Sequence, residues 1–114
     1  MKTRLVVFAA GMMASIALSA HAGGDPVAGK QKAAACQACH GMDGIGVTPQ
    51  FPTLAGQFPD YLVRALSDYK SGQRKNAIMA GFAANLTPQD MEDLASFYAS
   101  RKNGLYVKQA PGMR

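Results

Sequence analysis

Both cysteines of the 114-residue chain fall within five residues, Cys36-Gln37-Ala38-Cys39-His40. A C-x-x-C-H run is the spacing that covalent c-type haem attachment needs. The two thiols add to the two vinyl groups on one edge of a porphyrin, and that tether leaves His40 beneath the iron as an axial ligand. A chain committed in this way must wrap a large flat apolar object, so these five residues constrain its architecture more than any other feature.

Two other chemistries draw on the same residue types. A structural zinc site wants four ligands, and the only Cys or His outside the motif is His21. A thioredoxin-like redox pair normally stands beside a βαβ pattern. The segments flanking Cys36 read instead as helix and Gly-rich loop, without a strand run of Val, Ile or Thr. Haem attachment is the reading the sequence favours.

Residues 1–22 read as a secretory signal peptide. Lys2 and Arg4 precede an apolar stretch from Leu5 to Leu18, and Ala20-His21-Ala22 fits the small-x-small cleavage pattern. Fourteen residues fall short of the about 17–25 that a membrane helix needs, with an uncleaved anchor as the alternative. Cleavage would leave residues 23–114, which are 92 residues and one small domain. Cores of that size often lean on a cofactor. Export also suits thioether attachment, which points to the bacterial periplasm.

The formal net charge of +5 overstates the basic character. Without Lys2 and Arg4, ten basic side chains face seven acidic ones, or +3. No basic run is interleaved with aromatics, so nucleic-acid binding is not expected. A weakly basic face for docking redox proteins is the more natural use.

Helical signals divide the rest of the chain. Asp25-Pro26 reads as a cap and first helical residue, opening a helix towards Cys36 that presents Val27, Lys30, Ala34 and Ala35. Gly41 to Gly56 reads as loop. Pro59 opens a second helix in which Leu62, Ala65, Leu66 and Tyr69 share one face, with Gly72 as its stop. Gln73 to Leu86 shows no convincing period and reads as loop, with at most a short turn. Thr87-Pro88-Gln89-Asp90 starts the last helix, with Leu86 and Met91 at the staple positions. Met91, Leu94, Ala95 and Tyr98 form its face beside Phe97, and Asn103-Gly104 its end. The expected fold is all-α, three main helices with loops wrapped around one haem. The cytochrome domain would span 23–104, and 105–114 would be a short surface tail. Long loops normally count against such an assignment; a haem for them to enclose removes the objection.

The sixth iron position decides between ligand chemistry and electron transfer. No second histidine is expected in the processed chain, so methionine is the candidate, at Met42, Met79, Met91 or Met113. Met42 is too near His40 to reach the opposite haem face. Met91 reads as core, and Met113 lies in the tail. Met79, in Ala77-Ile78-Met79-Ala80-Gly81-Phe82, is far enough along the chain to close over the haem.

His40 with a downstream methionine resembles the class I cytochromes c, and in particular one domain of the two-domain dihaem bacterial proteins. The resemblance runs from Gly24-Asp25 to about Ser100. It rests on Cys36 to Gly41, Phe51-Pro52-Thr53-Leu54-Ala55-Gly56-Gln57, Arg74 to Met79, and Leu86 to Phe97. It implies that the Pro52 carbonyl accepts from the His40 ring and that Leu54 packs on the haem. It also implies that Gly29 and Phe97 meet where the first and last helices cross. Arg74 becomes a candidate partner for a haem propionate, a solvated surface arginine being the alternative. Tyr61 and Tyr69 read as core, with propionate contact the other option. One haem motif is a departure from the dihaem pattern, so partner relationships of the two-domain proteins do not carry over.

The resemblance implies a periplasmic single-electron carrier with one covalently bound haem c, not an enzyme. It would be a monomer serving a respiratory complex, oxidase or dehydrogenase. Small residues such as Gly41 and Ala38 would ring its docking edge. The alternatives are a subunit held in a larger oxidoreductase complex and a small peroxidase with an open iron.

Overall fold

Five α-helices and one 3₁₀ turn, with no strand, are found in residues 23–102, the part of the chain that the computed structural model describes. They are α1 (Pro26–Lys32), a 3₁₀ turn (Ala33–Ala35), α2 (Gln37–His40), α3 (Pro59–Ser71), α4 (Ala77–Ala83) and α5 (Pro88–Ala99). The all-α expectation holds. The stretch read as a signal peptide, with His21, and the stretch read as a surface tail, with Met113, lie outside the described residues.

α1 starts as its sequence signals imply. The Asp25 carboxylate accepts from the Val27 amide at 2.8 Å, and Pro26 occupies the first turn, where its missing N–H costs nothing. Its buried stripe differs from the expected one. Gly29 and Ala33 are buried, whereas Val27 stands 68% exposed. The cause is backbone packing. A Cβ at Gly29 would lie 2.0 Å from the Asp93 carbonyl oxygen and 2.8 Å from the Phe97 Cβ. Only glycine allows α1 to lie on α5 here, so Gly29 and Phe97 meet as the resemblance implied.

The crossing is also held by charge. Asp93, 3% exposed, accepts from the Asp25 amide at 2.8 Å, from the Gln89 amide at 2.9 Å and from the Lys32 ammonium. Lys32 bridges to Asp90 at 2.7 Å as well. The Lys32 hydrogen bonds hold both carboxyls below the ordinary aspartate range, and Asp90 and Asp93 in turn raise Lys32. Asp90 completes a capping box: Thr87 Oγ1 accepts from the Asp90 amide at 3.1 Å, and the Asp90 carboxylate accepts from the Thr87 amide at 2.8 Å.

In α5, Met91, Leu94, Ala95, Phe97 and Tyr98 are all buried, as its periodicity implied. The helix stops at Ala99, short of the expected Asn103-Gly104, which begins where the described residues end. The Ser100 hydroxyl donates to the Phe97 carbonyl at 2.7 Å, satisfying a terminal acceptor that further helix would otherwise use.

α3 runs from Pro59 and closes at Gly72, whose φ of 79° is left-handed. Leu62 is buried, and Val63 and Leu66 pack on the core formed with Leu94, Ala95, Phe97 and Tyr98. Tyr61 is not core; it is 48% exposed, because it lies one residue, or about 100°, away from Leu62 on the helix.

The segment read as loop between Gln73 and Leu86 contains α4. Asn76 initiates it, with an extended backbone and a side-chain oxygen that accepts from the Met79 amide at 3.0 Å. Alanines at 77, 80 and 83 then favour helix. Seven residues are too few to display a period, and only Ala83 of the helix is buried.

Residues 41–58 contain no helix, as expected. Hydrogen bonds replace regular structure there. The Gly44 carbonyl accepts from the Leu54 and Ala55 amides, the Cys39 carbonyl from Val47, and the Tyr98 carbonyl from Gly56. The loop is thereby fixed to both α2 and α5.

Candidate functional site

The helices and this loop enclose a cavity of about 580 Å³, walled mainly by apolar side chains. That is within the range of small-molecule and cofactor sites. Cys36, Cys39 and His40 line one side. Phe51, Pro52 and Leu54 come from the loop, Leu62 and Leu66 from α3, and Leu94 and Tyr98 from α5. Met79 and Ile78 line it from α4. Met42, at 75% exposure, is not among the lining residues, and Met91 is buried in the core.

His40 reaches its place through a short helix and a left-handed residue. α2 ends at Gly41, φ 77°, where a side chain would collide with the Ile45 carbonyl oxygen at 2.2 Å. The ring is 6% exposed and its Nδ1 lies 2.8 Å from the Pro52 carbonyl oxygen. A carbonyl can only accept, so Nδ1 carries the proton and donates. That leaves Nε2 as the ring nitrogen available to ligate a metal.

The thiols fit attachment better than redox exchange. Burial is the largest influence on Cys36 and pushes its thiol up, opposite to the low-pKa thiolate of a disulfide-exchange site. Cys36 and Cys39 are both free and half-buried, and both face the same cavity as His40. No group of three or more His, Cys, Asp or Glu able to hold a bare metal ion occurs among the described residues. Two thiols, one oriented imidazole and a thioether around an apolar cavity are a donor set suited to a haem.

Arg74 stands at the cavity lip. Its Nη1 donates to the Tyr61 hydroxyl at 3.2 Å, its guanidinium lies 4.9 Å from the Tyr69 ring centroid, and its amide bonds the Asp68 carbonyl. Tyr61 and Tyr69 therefore line the cavity while holding an arginine there. Asn76, which caps the methionine-bearing helix, escaped the sequence reading; its position one residue before an alanine-rich run was the available signal. Asp93 escaped as well. Its signal was an acid placed between the apolar Met91 and Leu94-Ala95.

A helical fold closed around a cavity that carries C-x-x-C-H defines a c-type haem protein. The chain belongs to the cytochrome c family, whose description matches residues 26–102. It is 49% identical over 83 residues to cytochrome c4 of Pseudomonas aeruginosa, covering 73% of this chain and 41% of that one. Against cytochrome c-554(548) of Halomonas halodenitrificans it is 42% identical over 82 residues, covering 69% of this chain and 99% of the other. The crystal structure of reduced recombinant cytochrome c4 from Pseudomonas stutzeri aligns with a TM-score of 0.66 at 43% identity, covering 69% of this chain and 46% of that one. The chain thus spans about half the length of the cytochromes c4 it matches. One haem c is bound covalently through the Cys36–His40 motif. No helix among the described residues is long and apolar enough to cross a membrane.

Proposed function

We propose that the protein is a periplasmic single-electron carrier whose haem iron is held by His40 and Met79. One observation carries this reading: His40, with its proton committed to Pro52, and Met79 line the same apolar cavity as the two attachment cysteines. When bound, the haem supplies a one-electron Fe(III)/Fe(II) couple. The chain's own residues set where that couple lies. A thioether sulfur is a soft ligand and favours the reduced iron. Apolar walls disfavour the oxidised form with its extra positive charge, so both raise the potential. Pro52 fixes the His40 ring, Leu54 excludes water, and Arg74, held by Tyr61, offers its charge to a propionate. A methionine at the sixth position opposes peroxidase chemistry. The signal-like residues 1–22 support export, and respiratory or dehydrogenase proteins are the partners this chemistry suits.

The test is the purified haem protein and its Met79→Ala variant. A low-spin spectrum with a sulfur-to-iron band and a positive potential are expected, with the band lost and the potential lowered in the variant. An unchanged variant spectrum excludes Met79 as ligand. Purification within a stable larger assembly would favour a fixed subunit over a mobile carrier.

A further inference from the structure

Tyr98 is the one cavity-lining side chain whose polar atom is buried without a hydrogen bond among the described residues. A buried phenol normally finds a partner, so this one calls for an explanation. Its position is overdetermined. Its carbonyl accepts from the Gly56 and Arg101 amides at 3.0 and 3.1 Å. Its ring packs on Gly44, where any Cβ would come within 2.7 Å of Cδ1, and lies tilted on Phe97 with centroids 5.0 Å apart. The hydroxyl therefore cannot swing out to water.

Cys36 belongs to the same packed region. The Cys36 side chain packs on the core cluster that contains Tyr98, and both line the haem cavity. They also perturb each other. Burial raises both groups most, while the hydroxyl acts to lower the thiol and the sulfur acts to raise the phenol. As a free thiol, Cys36 has a hydrogen of its own to place. As the thioether of an attached haem it has none, and the sulfur can only accept.

We infer that the Tyr98 hydroxyl donates a hydrogen bond to the Cys36 sulfur in the haem-loaded protein, making Tyr98 a positioning residue for the thioether. The inference rests on covalent attachment, not on the Met79 ligand or the carrier role. The bond places the positive end of the O–H dipole at the haem edge, where it opposes the oxidised iron's extra charge. Tyr98 thereby raises the potential without touching the iron, and it restrains the sulfur that anchors one edge of the cofactor.

The experiment uses the haem-loaded wild type and Tyr98→Phe, which removes one oxygen and leaves the ring on Gly44. The wild type is expected to show a slowly exchanging phenolic proton and a C–S stretching band that shifts in D₂O. In Tyr98→Phe the proton signal and the D₂O shift disappear and the potential moves down, with the iron's ligand spectrum unchanged. A wild-type C–S band insensitive to D₂O overturns the inference, as does a potential equal in the two proteins. A phenolic proton that couples to bound water, with no D₂O effect on the C–S band, also overturns it and makes water the partner. Should Tyr98→Phe fail to load haem, the wild-type D₂O comparison decides alone. Loss of the sulfur-to-iron band in wild type would sink the Met79 reading and leave this test intact.

Discussion

The α1–α5 crossing and the α3–α4 lip of the cavity contain similar side chains used in opposite ways. At the crossing, Lys32 bridges Asp90 and Asp93, and Asp93 is almost fully buried. At the lip, Arg74 rests on two tyrosines, and Ile78 and Phe82 stand 62% and 48% exposed. The crossing is a joint whose polar groups are satisfied internally. The lip keeps its cation and apolar surface directed to what the cavity holds and to what approaches it. Stability should therefore reside in the first region and redox tuning in the second.

The largest effect expected is that of Asp93→Ala. Removing the acceptor leaves the Asp25 amide and the Gln89 side chain without their partner, while Lys32, a third exposed, keeps Asp90, for a cost of about 2–4 kcal/mol. The denaturation midpoint of the haem-loaded protein reads this, and the spectrum of the folded fraction should stay as in wild type. Gly29→Ala comes next. Its methyl would meet the Asp93 carbonyl, and overpacking of this kind costs about 1–3 kcal/mol. Thr87→Ala removes the cap of α5 for about 1 kcal/mol. Arg74→Gln, at the lip, should cost less than about 0.5 kcal/mol, yet lower the potential's sensitivity to propionate ionisation in a pH titration of the haem. A loss of stability in Arg74→Gln equal to that in Asp93→Ala would dissolve the contrast between the two regions.

Acid offers a second way to separate them. The carboxyls of Asp90 and Asp93 sit below their unfolded value of about 3.9 because Lys32 bonds them. A depressed folded pKa gives stability that is complete above the unfolded value and is lost as pH falls through the folded one. Melting temperature should hold down to about pH 4 and drop below it. Asp93→Asn should begin lower and fall less steeply, and an equally steep fall would shift the acid sensitivity away from the joint.

Much of this arrangement could be read from residue order, and what escaped did so for identifiable reasons. The haem motif is local in sequence, so five residues carry it whole. α3 and α5 each span more than three turns, with Pro at the start and a periodic apolar face, so their buried sides were legible. α4 was not. Its seven residues bury only Ala83, and its start depends on one Asn76 side chain. Val27 misled because the buried side of α1 is chosen by contact with a helix some sixty residues later, through a glycine that carries no hydropathic signal. Tyr61 misled for a related reason: aromatics suggest core, but a cavity lip is neither interior nor surface. The Pro52 carbonyl came from family resemblance alone, since backbone acceptors are invisible to composition.

The close approach at Gly29 sets a spacing as well as a contact. Cys36 lies seven positions further on, about two helical turns through α1 and the 3₁₀ segment. The attachment cysteine thus emerges on nearly the same side of the rod that rests against α5. One residue inserted between them would turn Cys36 by about 100°, away from the cavity, although no side chain of the site had been altered. The interval from Gly29 to Cys36 works as a ruler, and its length belongs to the haem site as much as the thiols do.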